Sequence, residues 1–264
     1  MIRYLHIGFQ KTGTTWLQRM LLRNRDRLAG RVALAVKGPE TRDLMRACLA
    51  WIETPETGVA AVRREAAALA GRLNRTAPVA LISDENFVGR NIFSETGDMT
   101  TWAAALVPEI ATALGPRTEV ICYTRDWAGW TASVHNQSVK IRGETRDLDA
   151  FRAAIPFAAD WDAITARLAR EIAPIPLHRI DMEADLASPS GLGEGLLSRL
   201  GLGDILPELD RPQGRFNQSL GPGALEFLLA ANRSGLNPAT LAKVRRLVLD
   251  NRELFVSFKD RPRN

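Results

Sequence analysis

At 264 residues the chain is long enough to bury a sizeable core, and its 45% hydrophobic and 25% charged residues are ordinary for a soluble globular protein. The net charge of +5 and sequence pI of about 9.7 come mainly from scattered arginines, with no polybasic tail and no concentrated stripe or module for nucleic acid. Cys48 and Cys122 make neither a metal spacing nor a disulfide framework, no apolar run reaches the roughly 18–20 residues of a membrane span, and no charged-then-apolar leader opens the chain.

These exclusions predict a soluble, cytoplasmic protein with no transmembrane segment and no nucleic-acid partner. The basic balance reads first as a mildly basic enzyme surface and second as a field that attracts an anionic ligand.

Leu5, Ile7 and Phe9 around Gly8 predict a buried strand over 3–8. Residues 14–28 place Trp16, Leu17, Met20, Leu21 and Leu28 at helical spacing, with Arg19, Arg23, Arg25 and Arg27 on the other face or at the C-terminal end, where cations suit the dipole. A short strand is expected over 32–36, then helices over 42–52 and 56–73, the latter opened by Thr54-Pro55-Glu56. Residues 79–83 form a second buried strand that ends in Asp84-Glu85-Asn86. A helix over 101–114 is stopped by Gly115-Pro116. Residues 119–124 read as a third strand with Arg125 at its tip, followed by a helix to about Lys140. The polar stretch 143–149 reads as a loop. Beyond it come a helix over 159–171, a strand over 175–180, a short helix over 191–200 closed by Gly201, and final helices over 221–232 and 238–251. No repeat or low-complexity linker interrupts the chain, so a single domain over 1–264 is expected.

Short apolar strands alternating with helices predict an α/β three-layer sandwich, a central mostly parallel sheet flanked by helices. In such sheets ligands bind at the carboxyl ends of the strands. The segment from Lys11 to Trp16, the pair Asp84-Glu85, and Arg125 all follow strand carboxyl ends. Three polar tips on one rim point to a site there.

The first tip is the most telling. The run from Tyr4 to Gln18 passes from strand, through a loop with Gly8, Lys11 and Gly13, into a helix that opens with Thr14 and Thr15. A helix start presents unpaired N–H groups and the positive end of the helix dipole, so it takes a phosphate or sulfate. Walker-A loops place a lysine directly after the second glycine. Here Thr14 stands at that place, and the lysine comes before Gly13. Asp84, after the strand over 79–83, could imitate a Mg²⁺-holding acid, but one acid at a strand tip is a weak signal. The arrangement suggests an anion cradle that does not rely on a Mg²⁺–triphosphate, and no metal is expected.

Lys11-Thr12-Gly13-Thr14-Thr15-Trp16 resembles the 5′-phosphosulfate loop of sulfotransferases that use 3′-phosphoadenosine 5′-phosphosulfate (PAPS). The longer match from His6 to Thr15 resembles bacterial members of that family. The resemblance implies that Lys11 contacts the bridging oxygen of the phosphosulfate. It implies that the backbone of Thr12, Gly13, Thr14 and Thr15, with the two threonine hydroxyls, holds the 5′-phosphate, and that Trp16 lies against the adenine. The family also carries an arginine at a strand tip and a serine eight residues on, both on the 3′-phosphate. Arg125 and Ser133 have that spacing. An arginine fork suits a dianionic phosphate because it bonds two oxygens at once.

The implied reaction is an in-line displacement at sulfur that releases PAP, dominated by positioning and electrostatic stabilisation. Lys11 is the candidate stabiliser of the leaving oxygen and Glu85 the candidate base, with Asp84 its rival; either residue alternatively caps the next helix. His6, His135 and His178 read as structural, and Trp127 and Trp130 as core. Late in the chain, Gly214-Arg215 stands where sulfotransferases close the 3′-phosphate site with a basic, glycine-containing loop, though the usual Arg-Lys-Gly run is absent; a helix-entry turn is the alternative. The acceptor is expected to be a glycan, lipid or small molecule, with segments 37–54, 87–98 and 137–156 walling its cleft. Two other readings stay open: a small-molecule kinase or other P-loop NTPase, and a catalytically silent sulfotransferase-like nucleotide-binding protein.

Overall fold

Five short, mostly apolar runs become the strands of one sheet: β1 (Ile2–His6), β2 (Val32–Val36), β3 (Val79–Ser83), β4 (Thr118–Thr124) and β5 (Leu177–Asp181). The computed structural model describes residues 1–73, 77–95, 97–157, 159–214 and 219–255. All five strands run parallel in the order β2-β3-β1-β4-β5, flanked by helices, which is the layering of a three-layer α/β sandwich. A parallel sheet covered on both faces explains the near-continuous apolar character of its central strands.

Register and topology fix the site. His6 lies beside Ser83 on one side and Ile121 on the other, and Val36 lies beside Ser83, so β1, β2 and β3 finish level. The chain leaves β1 toward β2 at one edge, whereas from β3 it steps across β1 to β4. Connections that depart in opposite directions from neighbouring strands make a topological switch point, here at the tip of β1, and such points are where open α/β sheets bind ligands.

The described residues fall into two compact units, each discontinuous in sequence: 1–127 with 156–216, and 128–155 with 217–264. The first contains the sheet. Tyr4, Val32, Val36, Leu81, Ile121 and Tyr123 project from one face into a core shared with Leu17, Met20 and Leu21 and with Leu196, Leu197, Leu200 and Leu206. Strand side chains alternate faces, so Leu5, Ile82, Val120 and Cys122, all fully buried, serve the opposite face. In the second unit Val139, Leu220, Ala224, Leu228 and Val248 form a separate core. There Asn232 donates to the carbonyls of Val139 and Glu144 at 3.0 and 2.9 Å, and Nε2 of His135 lies 2.8 Å from the carbonyl of Arg146.

Several elements depart from the sequence reading, beginning with the strand expected over 3–8, which ends at His6 ahead of the left-handed Gly8. The helix expected over 14–28 divides into α1 (Thr14–Arg23) and a turn at Arg25–Leu28, because Asn24 diverts its side chain to the carbonyls of Met20 and Asp210. The helix expected over 56–73 begins later, at Ala60–Arg72; Gly58, at φ 73°, ends a separate one-turn segment at Pro55–Thr57. The polar stretch 143–149 leads into an unforeseen helix, Leu148–Ala153, capped by Asp147, which accepts the N–H of Ala150 at 2.9 Å. Among the described residues, no helix is long and apolar enough to cross a membrane.

Candidate functional site

Three residues between β1 and α1 take left-handed backbone: Gly8 at φ 112°, Lys11 at 66° and Gly13 at 83°. Glycine adopts that region freely; lysine does so at a cost of about 1–2 kcal/mol. Lys11 is the only such non-glycine residue among those described, and strain of this kind gathers where a loop is shaped for a ligand. Both glycines are also crowded. A Cβ on Gly8 would lie 3.1 Å from Cβ of Glu85, and one on Gly13 would lie 3.0 Å from Leu192. Thr12 is buried, and its hydroxyl donates to the carbonyl of Phe9 at 2.5 Å. That side chain therefore shapes the loop, leaving its backbone for a ligand. Gly13 then caps α1 with no side-chain cap and no acid in the first turn, so nothing acidic competes with an anion there.

The charge of the loop is uncompensated. Lys11 is half-buried, and its ammonium has no hydrogen bond or carboxylate partner among the described residues. Burial, then the nearby Arg125 charge, holds its pKa below the usual lysine value. Arg125, at the tip of β4, directs Nη1 toward the carbonyl of Lys11 at 3.5 Å. Its Nε is buried without a hydrogen bond, and the Glu183 carboxylate stands 3.7 Å away. Two cations are thus held together: Lys11 has no carboxylate partner among the described residues, and Arg125 is ion-paired with Glu183 while its Nε lacks a hydrogen bond. Ser133 lies on the helix Trp127–Arg142 in the second unit, whereas Arg125 belongs to the first.

At the tip of β3 the two acids have separate duties. Asp84 caps the one-turn segment Glu85–Val88 by accepting the N–H of Asn86 at 3.0 Å, and it accepts the hydroxyl of Thr41 at 2.8 Å. Burial pushes its pKa up. Glu85 is only 6% exposed. One carboxylate oxygen pairs with Lys37 and the other accepts Nε2 of Gln18 at 2.9 Å. Burial would raise its pKa, but the charge and hydrogen bond of Lys37, together with a backbone N–H and the Gln18 amide, outweigh it, so the carboxyl sits below its ordinary value.

Trp16, on the first turn of α1, packs its partly buried ring against the core, and its indole N–H donates to the carbonyl of Pro212 at 3.1 Å. The guanidinium of Arg211 lies over the same ring, 5.8 Å from its centre, with Nη2 buried and unpartnered. The late segment is thereby brought to the first turn of α1. Gly214 takes φ 81° in open space, and Arg215 lies outside the described residues.

Sequence reasoning missed three residues here: Lys37, Gln18 and Arg211. Lys37 was findable, since it is the first residue beyond β2 and obeys the same strand-tip rule as the others. Gln18 sits among the apolar residues of the inner face of α1, where a buried amide needs a polar partner. Arg211 carries no local signal. The three histidines behave as structural groups: His6 is wholly buried with Nδ1 2.8 Å from Oγ of Ser83, and His178 contacts Glu119 at 2.7 Å. Among the described residues no group of three or more His, Cys, Asp or Glu side chains is placed to hold a metal ion.

No family model matches the chain, and no curated protein matches it.

Proposed function

We propose that the protein is a cytoplasmic sulfotransferase that moves the sulfuryl group from PAPS to a hydroxyl or amine of a glycan, lipid or small-molecule acceptor and releases PAP. The observation that carries this reading is the unpaired Lys11 ammonium, held on a left-handed backbone beside Arg125 at the start of α1. The orphaned buried Nε of Arg125 fits a phosphate partner.

PAPS supplies an activated sulfuryl group on a phosphate leaving group. The chain's residues position it. The backbone of Thr12 to Thr15 and the start of α1 take the 5′-phosphate. Lys11 stabilises the charge that grows on the bridging oxygen as its bond to sulfur breaks with the electron pair. Arg125 takes the 3′-phosphate, its planar fork bonding two oxygens at once. The acceptor oxygen forms the new bond to sulfur, and its proton passes to Glu85. That carboxylate already accepts two hydrogen bonds but has about four lone-pair sites, so capacity for the proton remains. Asp84, which accepts from Thr41 and Asn86, is the rival for this role.

A catalytically silent nucleotide-binding protein is the second reading, favoured by the deep burial of Glu85. PAP should raise the melting temperature, by the equivalent of about 2.7 kcal/mol at a hundredfold excess over its Kd, and ATP with Mg²⁺ much less. Lys11→Ala should abolish transfer with the fold intact, and Arg125→Ala should mainly weaken PAP binding. No stabilisation by PAP or PAPS refutes the proposal. PAP binding without transfer to any acceptor class in a PAP-release screen favours the silent protein, and unchanged turnover in Glu85→Gln removes Glu85 as the base.

A further inference from the structure

Glu85 does not stand alone at the rim. It is reached from three elements: Lys37 at the end of β2, Gln18 on α1, and the backbone of Gly8, which only a glycine allows to pass so close. Lys37 keeps a side chain 38% exposed, whereas that of Glu85 is 8% exposed. Lys37 is thus the member of the pair that meets solvent.

Lys37 is also the only cation paired with Glu85 among the described residues. The other titratable groups facing this carboxylate are Asp84, in its own turn, and His6, on β1, both sensitive to its charge. The helix Arg42–Glu53, packed on the same turn, offers Cys48, which faces Asp84 instead. The helix Met99–Leu114 carries one acid, Glu109, which pairs with Arg63. No second cation replaces Lys37 if it is lost.

We infer that Lys37 is a positioning residue for the reaction: it holds the Glu85 carboxylate ionised and fixed against Gln18, so that Glu85 faces the acceptor ready to take a proton. This rests on the sulfotransferase reading. Glu85 gains a proton from the acceptor hydroxyl during transfer and returns it to solvent through the exposed Lys37 side, so the pair resets without any further reactant. A buried carboxylate stripped of its one cation would protonate at higher pH, by roughly 1–3 pH units.

The test follows the side-chain carboxyl carbon of Glu85 by NMR in protein labelled at glutamate, with Glu85→Gln to assign the signal. Lys37→Met and Lys37→Arg are compared with the unmutated chain. The Glu85 midpoint should rise by roughly 1–3 pH units in Lys37→Met and return toward the original in Lys37→Arg. PAP affinity should be the same in all three, and the acid limb of the transfer rate should move with the NMR midpoint, in kcat rather than KM. An unchanged Glu85 midpoint in Lys37→Met overturns the assignment, as does a rate profile that ignores the midpoint. Should Lys37→Met not fold, Lys37→Gln carries the same measurement. If the unmutated protein binds no PAP, the functional reading fails, while the Glu85 titration decides separately whether Lys37 governs that carboxylate.

Discussion

His6 offers a direct measure of how dry the floor of the site is. Its imidazole is fully buried at the end of β1, Nδ1 is 2.8 Å from Oγ of Ser83, and Nε2 has no partner. Burial lowers its pKa from an ordinary 6.5 to about 4, with the nearby Glu85 charge opposing only in part. The unfolded chain therefore binds one proton more than the folded chain between these two values. Stability is fully present above pH 6.5 and falls as the pH drops toward about 4. Two and a half pH units correspond to about 3 kcal/mol, lost at up to about 1.4 kcal/mol per pH unit. Asp84 acts in the opposite sense, because burial raises its folded pKa and the folded chain takes up that proton first. Comparison with His6→Asn isolates the histidine. Urea unfolding across this pH range should give a stability curve that is steeper for the unmutated protein by about one proton. The His6 ring nitrogens, followed by NMR, should hold one neutral tautomer down to about pH 4. A ring that titrates near its ordinary value, or equal slopes in the two proteins, refutes the buried, neutral assignment.

Asp185 is buried and accepts the Tyr123 hydroxyl at 2.7 Å and the N–H groups of Gly193 and Gly195 at 2.7 and 2.6 Å, fixing the turn that lays Leu192 on Gly13. Asp185→Ala leaves those donors without their acceptor and should cost about 3 kcal/mol in urea unfolding, against about 1 kcal/mol for Tyr123→Phe. A cost for Asp185→Ala below that of Tyr123→Phe would show that the network is not what holds the turn. Gly13→Ala adds a Cβ both at φ 83° and 3.0 Å from Leu192, so it should destabilise by about 1–2 kcal/mol and weaken PAP binding. Leu192→Ala in the same chain should recover only the part due to crowding, which a double-mutant cycle reads directly.

What the sequence determined was local. The runs over 32–36 and 79–83 became strands with those bounds, because a short apolar run between turn signals has few other ways to bury itself. The alternation of strands and helices led to a mostly parallel sheet, which is all parallel in its five main strands, and the glycines of the first loop marked where the backbone turns left-handed. Helix breaks were legible only where a glycine or proline marked them. Asn24 broke α1 through side-chain bonds whose partner, Asp210, lies 186 residues away. The tertiary structure decided which charges meet. Arg125 was expected on the same rim as Lys11 from its place at a strand tip, but nothing near Glu85 announces Lys37 and Gln18, which reach it across 48 and 67 residues. Strand order made those neighbours: β3 lies between β1 and β2, so the tips of all three converge on one carboxylate. Sequence patterns record which residues seek the interior; where a charge finds its partner depends on which strands lie side by side.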